Sequence, residues 1–472
     1  MAAHVVPFIG FAPDASEMTP GVITSCYRML PSERGMRGAP WREGLGFDAL
    51  PAACVSSSYV RRLNGIARVF AGTATGLYER DGTTWHNWIG TSGATGWSFA
   101  QLGDYSLATD DVGNIYGSSA SSFTAIANAP KAKIVIAVPN FAVAFNTQNG
   151  SASTSFGDSP DRWWCSAYQN PTDWAISAAN QCVSERLIGG GGEITAAAPF
   201  GTGWVVYKER EMFHAYYSGG AEVFNTQRVP GNQGCVGPNA VADVNGAHAF
   251  VGLNDIYIYD GSRVASIAEG KVRRWLFSRI KREAAAKTKV LYEQAAGLLW
   301  VFYPVGVGTS SVVGALVYHF ASGRWGHYDD PSGIGAAMLY PGEYGNDDTV
   351  AYFDASGSPT LGTITDTTSA AYVEGAISTG WYGSDDRESF VSRVQLLSDD
   401  ASTIDMSTPS VSTKSRARSG ADVTTGASVV ATASGNFDLR QTARWHKFEF
   451  TVHTDAEISG MTLHMRPAGQ GR

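Results

Sequence analysis

One hairpin pattern returns along this chain about every 45 residues, and a period of that length limits the fold more than any single motif does. An apolar-alternating strand, a short turn and a second strand ending in aromatic residues first run over 68–85, where Asp81-Gly82 between two alternating strands is a hairpin signal. The pattern recurs as 105–109 with 114–116, 141–145 with 163–166, 203–208 with 212–216, 247–251 with 256–261, 298–303 with 316–320, and 349–354 with 361–364. With Leu77, Ile115, Trp164, Phe213, Ile256, Leu316 and Val350 as equivalent positions, the steps are 38, 49, 49, 43, 60 and 34 residues. A four-stranded propeller blade takes about 40–50 residues, and radial repetition removes the exposed sheet edges that invite aggregation. β-sandwich domains also carry closely spaced strands, but nothing in them repeats at this longer period. The expected fold is therefore an all-β β-propeller.

Composition agrees with closely turned, aromatic-rich strands. The 472 residues include 54 Gly, 13 Trp, 20 Tyr and 21 Phe, and 44% are hydrophobic, enough for a large core and against disorder. Only 17% are charged and the net charge is −8, which argues against a protein that wraps nucleic acid by neutralising phosphates. Cys26, Cys54, Cys165, Cys182 and Cys235 are odd in number and form no C-x-x-C pair, so neither a disulfide scaffold nor a zinc knuckle is indicated and a reducing compartment fits. The opening residues lack a basic leader, and no window of 18 apolar residues occurs. The expectation is a soluble protein made in a cytoplasm, with no membrane-spanning segment.

Two regions depart from the repeat. Val272, Leu276 and Ile280 at i, i+4, i+8, followed by Glu283 and three alanines, predict one long helix within 269–289. It carries Lys271, Arg273, Arg274, Arg279, Lys281, Arg282, Lys287 and Lys289, either a solvated face or a surface for an acidic or phosphate-bearing partner. From about residue 370 the chain turns rich in Ser and Thr, with alternating segments at 390–397, 427–432, 446–452 and 458–464. Residues 1–370 are expected to form the propeller, the N-terminal segment completing a blade or reaching outward, and 371–472 a β-sandwich-like C-terminal domain.

A search for chemistry finds none. Asp81-Gly-Thr-Thr-Trp85 is similar to a sialidase Asp box, but it occurs once, lacks the preceding Ser and is explained by a hairpin turn. Gly189–Gly192 lacks the Lys-Ser/Thr of a phosphate loop and reads as a turn. Asp110-Asp111, Asp329-Asp330, Asp347-Asp348, Asp385-Asp386 and Asp399-Asp400 sit beside turn formers, and no calcium-loop spacing is present. His4, His86, His214, His248, His319, His327, His446, His453 and His464 form no H-x-x-x-H or H-E-x-x-H, and no Ser lies in G-x-S-x-G. No catalytic residue, cofactor-binding residue or metal ligand is expected.

The order of segments resembles a known family. The residues that carry it are 67–78, 163–174 (Trp163-Trp-Cys-Ser-Ala-Tyr-Gln-Asn-Pro-Thr-Asp-Trp174), 201–213, 256–261, 444–450 and 458–466. Together they are similar to the tail hub, or nozzle, proteins of short-tailed bacteriophages. The resemblance implies a structural virion protein, not an enzyme, assembled in the host cytoplasm as a homo-hexameric ring of the distal tail tube. Its implied partners are the tail adaptor or head-to-tail connector above and tail fibre, tailspike or needle proteins, with double-stranded DNA passing the lumen without specific binding. Rigid sheet, many aromatics and few charges suit a protein whose work is shape and self-association. The alternatives are a carbohydrate-binding or glycoside-hydrolysing propeller, in which surface Trp and Tyr stack on sugars, and a general protein-interaction propeller.

Overall fold

The turns show why the repeated segments become hairpins. Gly82, at φ +63°, takes the first of two loop positions between the paired Asp81 and Thr84, as a II′ turn requires. Asn245 and Gly246, at φ +53° and +87°, form the I′ equivalent between Val244 and Ala247. The computed structural model describes residues 2–40, 42–90, 93–111, 113–149, 156–220, 222–305, 312–341, 348–364, 374–398, 409–432, 434–452 and 457–468.

Five blades are self-contained four-stranded antiparallel sheets. The first is Cys54–Arg61, Ala67–Thr73, Gly76–Asp81 and Thr84–Gly90; the next four begin with Trp97–Leu102, Lys131–Val138, Ile194–Phe200 and Val241–Val244. The sixth and seventh blades share one 18-residue strand, Arg324–Pro341. Its first part pairs with Val312–His319 as the outer strand of a blade begun by Lys289–Glu293 and Leu298–Tyr303. Its second part is the inner strand for Asp348–Asp354 and Leu361–Ile364, and Arg42–Gly44 arrives from the other end of the sequence to complete that blade. The first strands of successive blades adjoin one another, the last returning to the first, which closes a ring of seven.

Aromatic side chains fill the wedges between blades. Phe145, Trp163, Trp204 and Phe224 pack between the third and fourth, the two indoles 5.3 Å apart. Trp97 lies on Gly72 so closely that a Cβ there would overlap its ring, one of the places where only glycine fits. Where the shared strand passes from one blade to the next, Tyr352 donates to Asp330 Oδ2 at 2.5 Å and its hydroxyl lies 2.9 Å from that of Tyr328. Burial pushes the Asp329 carboxyl up against the opposing pull of Arg28, whose Nε stands 3.2 Å away.

The second module is a two-sheet sandwich, and its composition corrects the expected boundary. One sheet holds Ala2–Pro7, Ile458–Pro467, Ser389–Ser398 and Asn436–Ala443. The other holds Gly10–Phe11, Val22–Tyr27, Gly375–Thr379, Trp445–Val452, Ser410–Arg416 and Thr424–Val430. Residues 2–27 therefore belong with the C-terminal sandwich rather than with the propeller, Met29–Pro31 pairs with the propeller strand Arg324–Pro341, and Arg42–Gly44 completes the seventh blade, as one of the two expectations for the N-terminal segment had it. The alternation in Trp445–Val452 places His446, Phe448, Phe450 and Val452 in the core beside Val391, Val411 and Met461. Met29–Pro31 and Met36–Gly38 link both modules, through His327 on one side and Ile458 on the other.

The single long helix is also corrected. The α-helix spans only Arg273–Phe277, and a 3₁₀ turn follows at Arg282–Lys287. Asp14 caps the first piece by accepting from the backbone N–H groups of Arg274 and Trp275 at 2.5 and 2.9 Å. Lys281 is extended, at ψ 140°, and Ala284 and Thr288 beyond it turn inward.

Candidate functional site: the central channel

The inner strands line the axis, and side chains stitch them together. Ser98 Oγ donates to Val135 O at 2.9 Å and accepts from Val135 N at 3.1 Å, joining the second and third blades. Lys133 meets Glu193 at 3.1 Å between the third and fourth. Burial opposes ionisation of Glu193, but donation by Asn146 and Lys133 outweighs it and holds the carboxyl below its usual range. Lys289 reaches from the sixth blade to the first, its Nζ donating to Ser57 O at 3.3 Å. Burial lowers this ammonium to about 8, and the Cys54 thiol beside it is pushed up to about 12 by its own burial.

One mouth of the axis opens into a cavity of about 710 Å³, lined by Asp243, Asn245, Tyr292, Gln294, Leu339 and Asp348 from the fifth to seventh blades. Asn245 Nδ2 donates to the Tyr292 hydroxyl at 3.2 Å. Two carboxylates, two amides and a phenol can hydrogen-bond a polyol, but no nucleophile is paired with a base there. This site was not singled out in the sequence; the one signal that could have found it is the Asn245-Gly246 dipeptide, whose I′ turn carries the amide to the mouth. Its other members sit at or beside strand ends of the fifth, sixth and seventh blades and share no local pattern.

The groups singled out in the sequence are tied into structure. All five cysteines are free and buried, and burial pushes the thiols to about 11 for Cys182 and about 12 for the others, so none is a thiolate at neutral pH. His248 lies between Tyr207 at 2.9 Å and Pro199 O at 2.9 Å, and His327 lies 2.7 Å from Tyr303. His446 sits between Ser389 at 3.0 Å and Gln441 at 2.9 Å, sealed in the sandwich core where no substrate arrives. Burial lowers both His327 and His446 to about 4. His453, Asp347, Asp399 and Asp400 lie outside the described residues.

Asp385 accepts from Trp445 Nε1 at 2.6 Å and Ser419 N at 2.7 Å, and Asp111 accepts from Thr95 N at 2.9 Å, as turn carboxylates do. The Gly189–Gly192 run packs against Glu211, which a Cβ at Gly189 or Gly191 would strike. In the basic segment Arg273 pairs with Asp255 and Glu269, Lys271 donates to Gly323 O, and Arg279 stacks on Trp275 at 4.0 Å. Among the described residues no group of three or more His, Cys, Asp or Glu is placed to hold a metal ion, and no helix is long and apolar enough to cross a membrane.

No family model and no curated protein matches the chain. Among solved structures, YCF48 bound to a D1 peptide is similar over 72% of this chain and 99% of its own, at 12% identity and a TM-score of 0.40. BBS1N in complex with ARL6DN is similar over 72% of this chain and 98% of its own, at 12% identity and a TM-score of 0.41. The computationally designed Ika8 protein is similar over 69% and 100%, at 10% identity and a TM-score of 0.40. What the chain's own strands establish is the class: an all-β propeller joined to a β-sandwich, with only short helical turns among the described residues.

Proposed function

We propose that this chain is a structural subunit of the tail nozzle, or hub, of a short-tailed bacteriophage, six copies forming a ring that continues the tail tube below the adaptor. The observation that carries the reading is the thread at 2–44. It supplies strands to both sandwich sheets and then the closing strand of the seventh blade, so neither module can turn against the other without breaking sheet pairs. Such a body suits transmission of force and position. The segment order noted in the sequence supports the same reading, as does the immobilisation of the cysteines and buried histidines.

The ring's interfaces are expected to be heterologous and to exceed about 1,000 Å² each. Its lumen is expected to be neutral or acidic, because each phosphate neutralised adds about 0.9 to the salt slope of DNA binding and would hinder passage. Imaging of tail particles that contain this chain tests the assembly: six copies around the axis are expected, and any other count refutes the hexamer. The 710 Å³ cavity favours a second reading, a carbohydrate-binding propeller. Glycan binding by the purified chain, lost in Tyr292→Ala, would replace the structural reading.

A further inference from the structure

Four consecutive charged residues, Lys208-Glu209-Arg210-Glu211, run through the turn between Gly203–Lys208 and Met212–Tyr217 in the fourth blade. The fold holds the outer two: Lys208 Nζ donates to Leu187 O at 2.6 Å, and Glu211 pairs with Arg228 at 3.2 Å. The inner two are left over. Glu209 and Arg210 pair neither with each other nor with another charged group among the described residues, yet both line one cavity of about 260 Å³. It lies between the fourth and fifth blades, at the end of the fifth opposite its Asn245-Gly246 turn, and so apart from the channel mouth. Asn232, Gln233, Leu253, Asn254 and Tyr257 complete its accessible lining, and none of these side chains or of the two charged ones is buried, so an occupant can touch each. The Tyr257 hydroxyl donates to Asn254 Oδ1 at 3.2 Å, which leaves the Asn254 amide hydrogens for another acceptor.

Opposite charges held apart in one cavity select an occupant that carries both. An anion alone faces Glu209, a cation alone faces Arg210, and an uncharged apolar body desolvates the two without pairing either. A zwitterion satisfies both at once, because a guanidinium fork takes a carboxylate bidentately and a carboxylate accepts from an ammonium. A residue within a polypeptide has neither charge on its main chain, which leaves a free α-amino acid. The volume falls below the roughly 300–1,000 Å³ of larger small-molecule sites. Leu253 offers an apolar surface to an aliphatic side chain, and the three amides can pair with the remaining polar atoms.

We propose that this cavity binds a free aliphatic α-amino acid, its carboxylate on Arg210, its ammonium on Glu209 and its side chain against Leu253. The site rests on neither the tail nor the carbohydrate reading.

The test is calorimetric titration of the full chain with L-leucine and with its two halves, isocaproate, which lacks the ammonium, and isoamylamine, which lacks the carboxylate. Saturable binding of leucine is expected, with each half-ligand about tenfold weaker or more, the loss of one charge-assisted pair. Glu209→Gln should remove the preference for leucine over isocaproate, and Arg210→Gln the preference over isoamylamine, both with an unchanged circular dichroism spectrum. The proposal is overturned by the absence of saturable leucine binding, by a half-ligand that binds the parent chain as tightly as leucine, or by leucine binding that both variants leave unchanged.

Discussion

Arg42→Ala tests how the ring is closed. Arg42–Gly44 covers the outer edge of Leu361–Ile364, whose inner edge pairs with Asp348–Asp354, through three residue pairs, and the Arg42 side chain adds further anchors. Its guanidinium donates to Thr360 O at 2.8 Å, meets Asp354 at 3.1 Å and lies 5.3 Å from the Tyr352 ring centre; the two ion-pair side chains are 13% and 8% exposed. Removing one partner of a buried pair costs about 3–5 kcal/mol. Burial disfavours the Asp354 carboxylate, but donors from Ser356 and Thr360 outweigh it and hold the carboxyl at about 2, so it keeps partners without Arg42. The expected loss is therefore at the low end, about 3 kcal/mol, and about 1 kcal/mol for Arg42→Lys, which keeps the charge but not the fork. Urea unfolding followed by circular dichroism measures the total, and hydrogen exchange locates it: amides of Leu361–Ile364 should lose protection while those of the third and fourth blades do not. A loss under about 0.5 kcal/mol with unchanged exchange at 361–364 would refute closure by this strand.

Lys289→Met should stabilise the protein at pH 7, because the buried ammonium is held at about 8 instead of 10.5. Below about 8 both folded and unfolded states carry the proton and the full burial penalty applies. Between about 8 and 10.5 the unfolded state binds more protons, so the parent gains stability with rising pH and the variant's advantage, about 2–3 kcal/mol at pH 7, should shrink; an advantage that grows over that window contradicts the assignment. His446 stays neutral when folded, down to about 4, so stability should fall as pH drops from 6.5 to 4, by about 3 kcal/mol for this residue; urea titrations should show that fall flattened in His446→Gln. Trp204→Ala should cost about 3–5 kcal/mol, but Trp204→Phe under about 1.5 kcal/mol, because its buried Nε1–H has no partner to lose; thermal unfolding separates the two. In filter binding at physiological salt the chain should retain no duplex DNA at submicromolar concentration, and tight retention would make the basic segment a DNA contact.

The repeat was legible because it marks the middle strands of each blade. Leu298–Tyr303 is buried along its whole length and so reads as an unbroken apolar run, while its inner partner Lys289–Glu293 is shorter and buries only Val290. What closes the ring was not legible: Arg-Glu-Gly at 42–44 has no strand signature and is extended only because Leu361–Ile364 offers an unpaired edge. Residues 2–38 carry no mark of their distant partners either, since pairing such as Val5 with Thr462 is decided by tertiary packing. The helix was overread because Val272, Leu276 and Ile280 do share an apolar side, yet the extended Lys281 ends the helical path. The mouth cavity assembles residues at the strand ends and turns of three blades, a juxtaposition that local periodicity does not encode.

The closing strand also sets a clock for biosynthesis. Arg42 and Thr360 lie 318 residues apart, so at about 5–20 residues per second the ribosome needs roughly 15–60 s to deliver the edge that Arg42 awaits. During that interval the first five blades can fold in order, each from neighbouring sequence, while the upstream thread stays unsatisfied on the nascent chain. A ribosome arrested before residue 361 therefore holds an open arc with two raw edges, prone to pairing with the arc of a neighbouring polysome. Protease should cut the thread in such arrested chains and spare it after release.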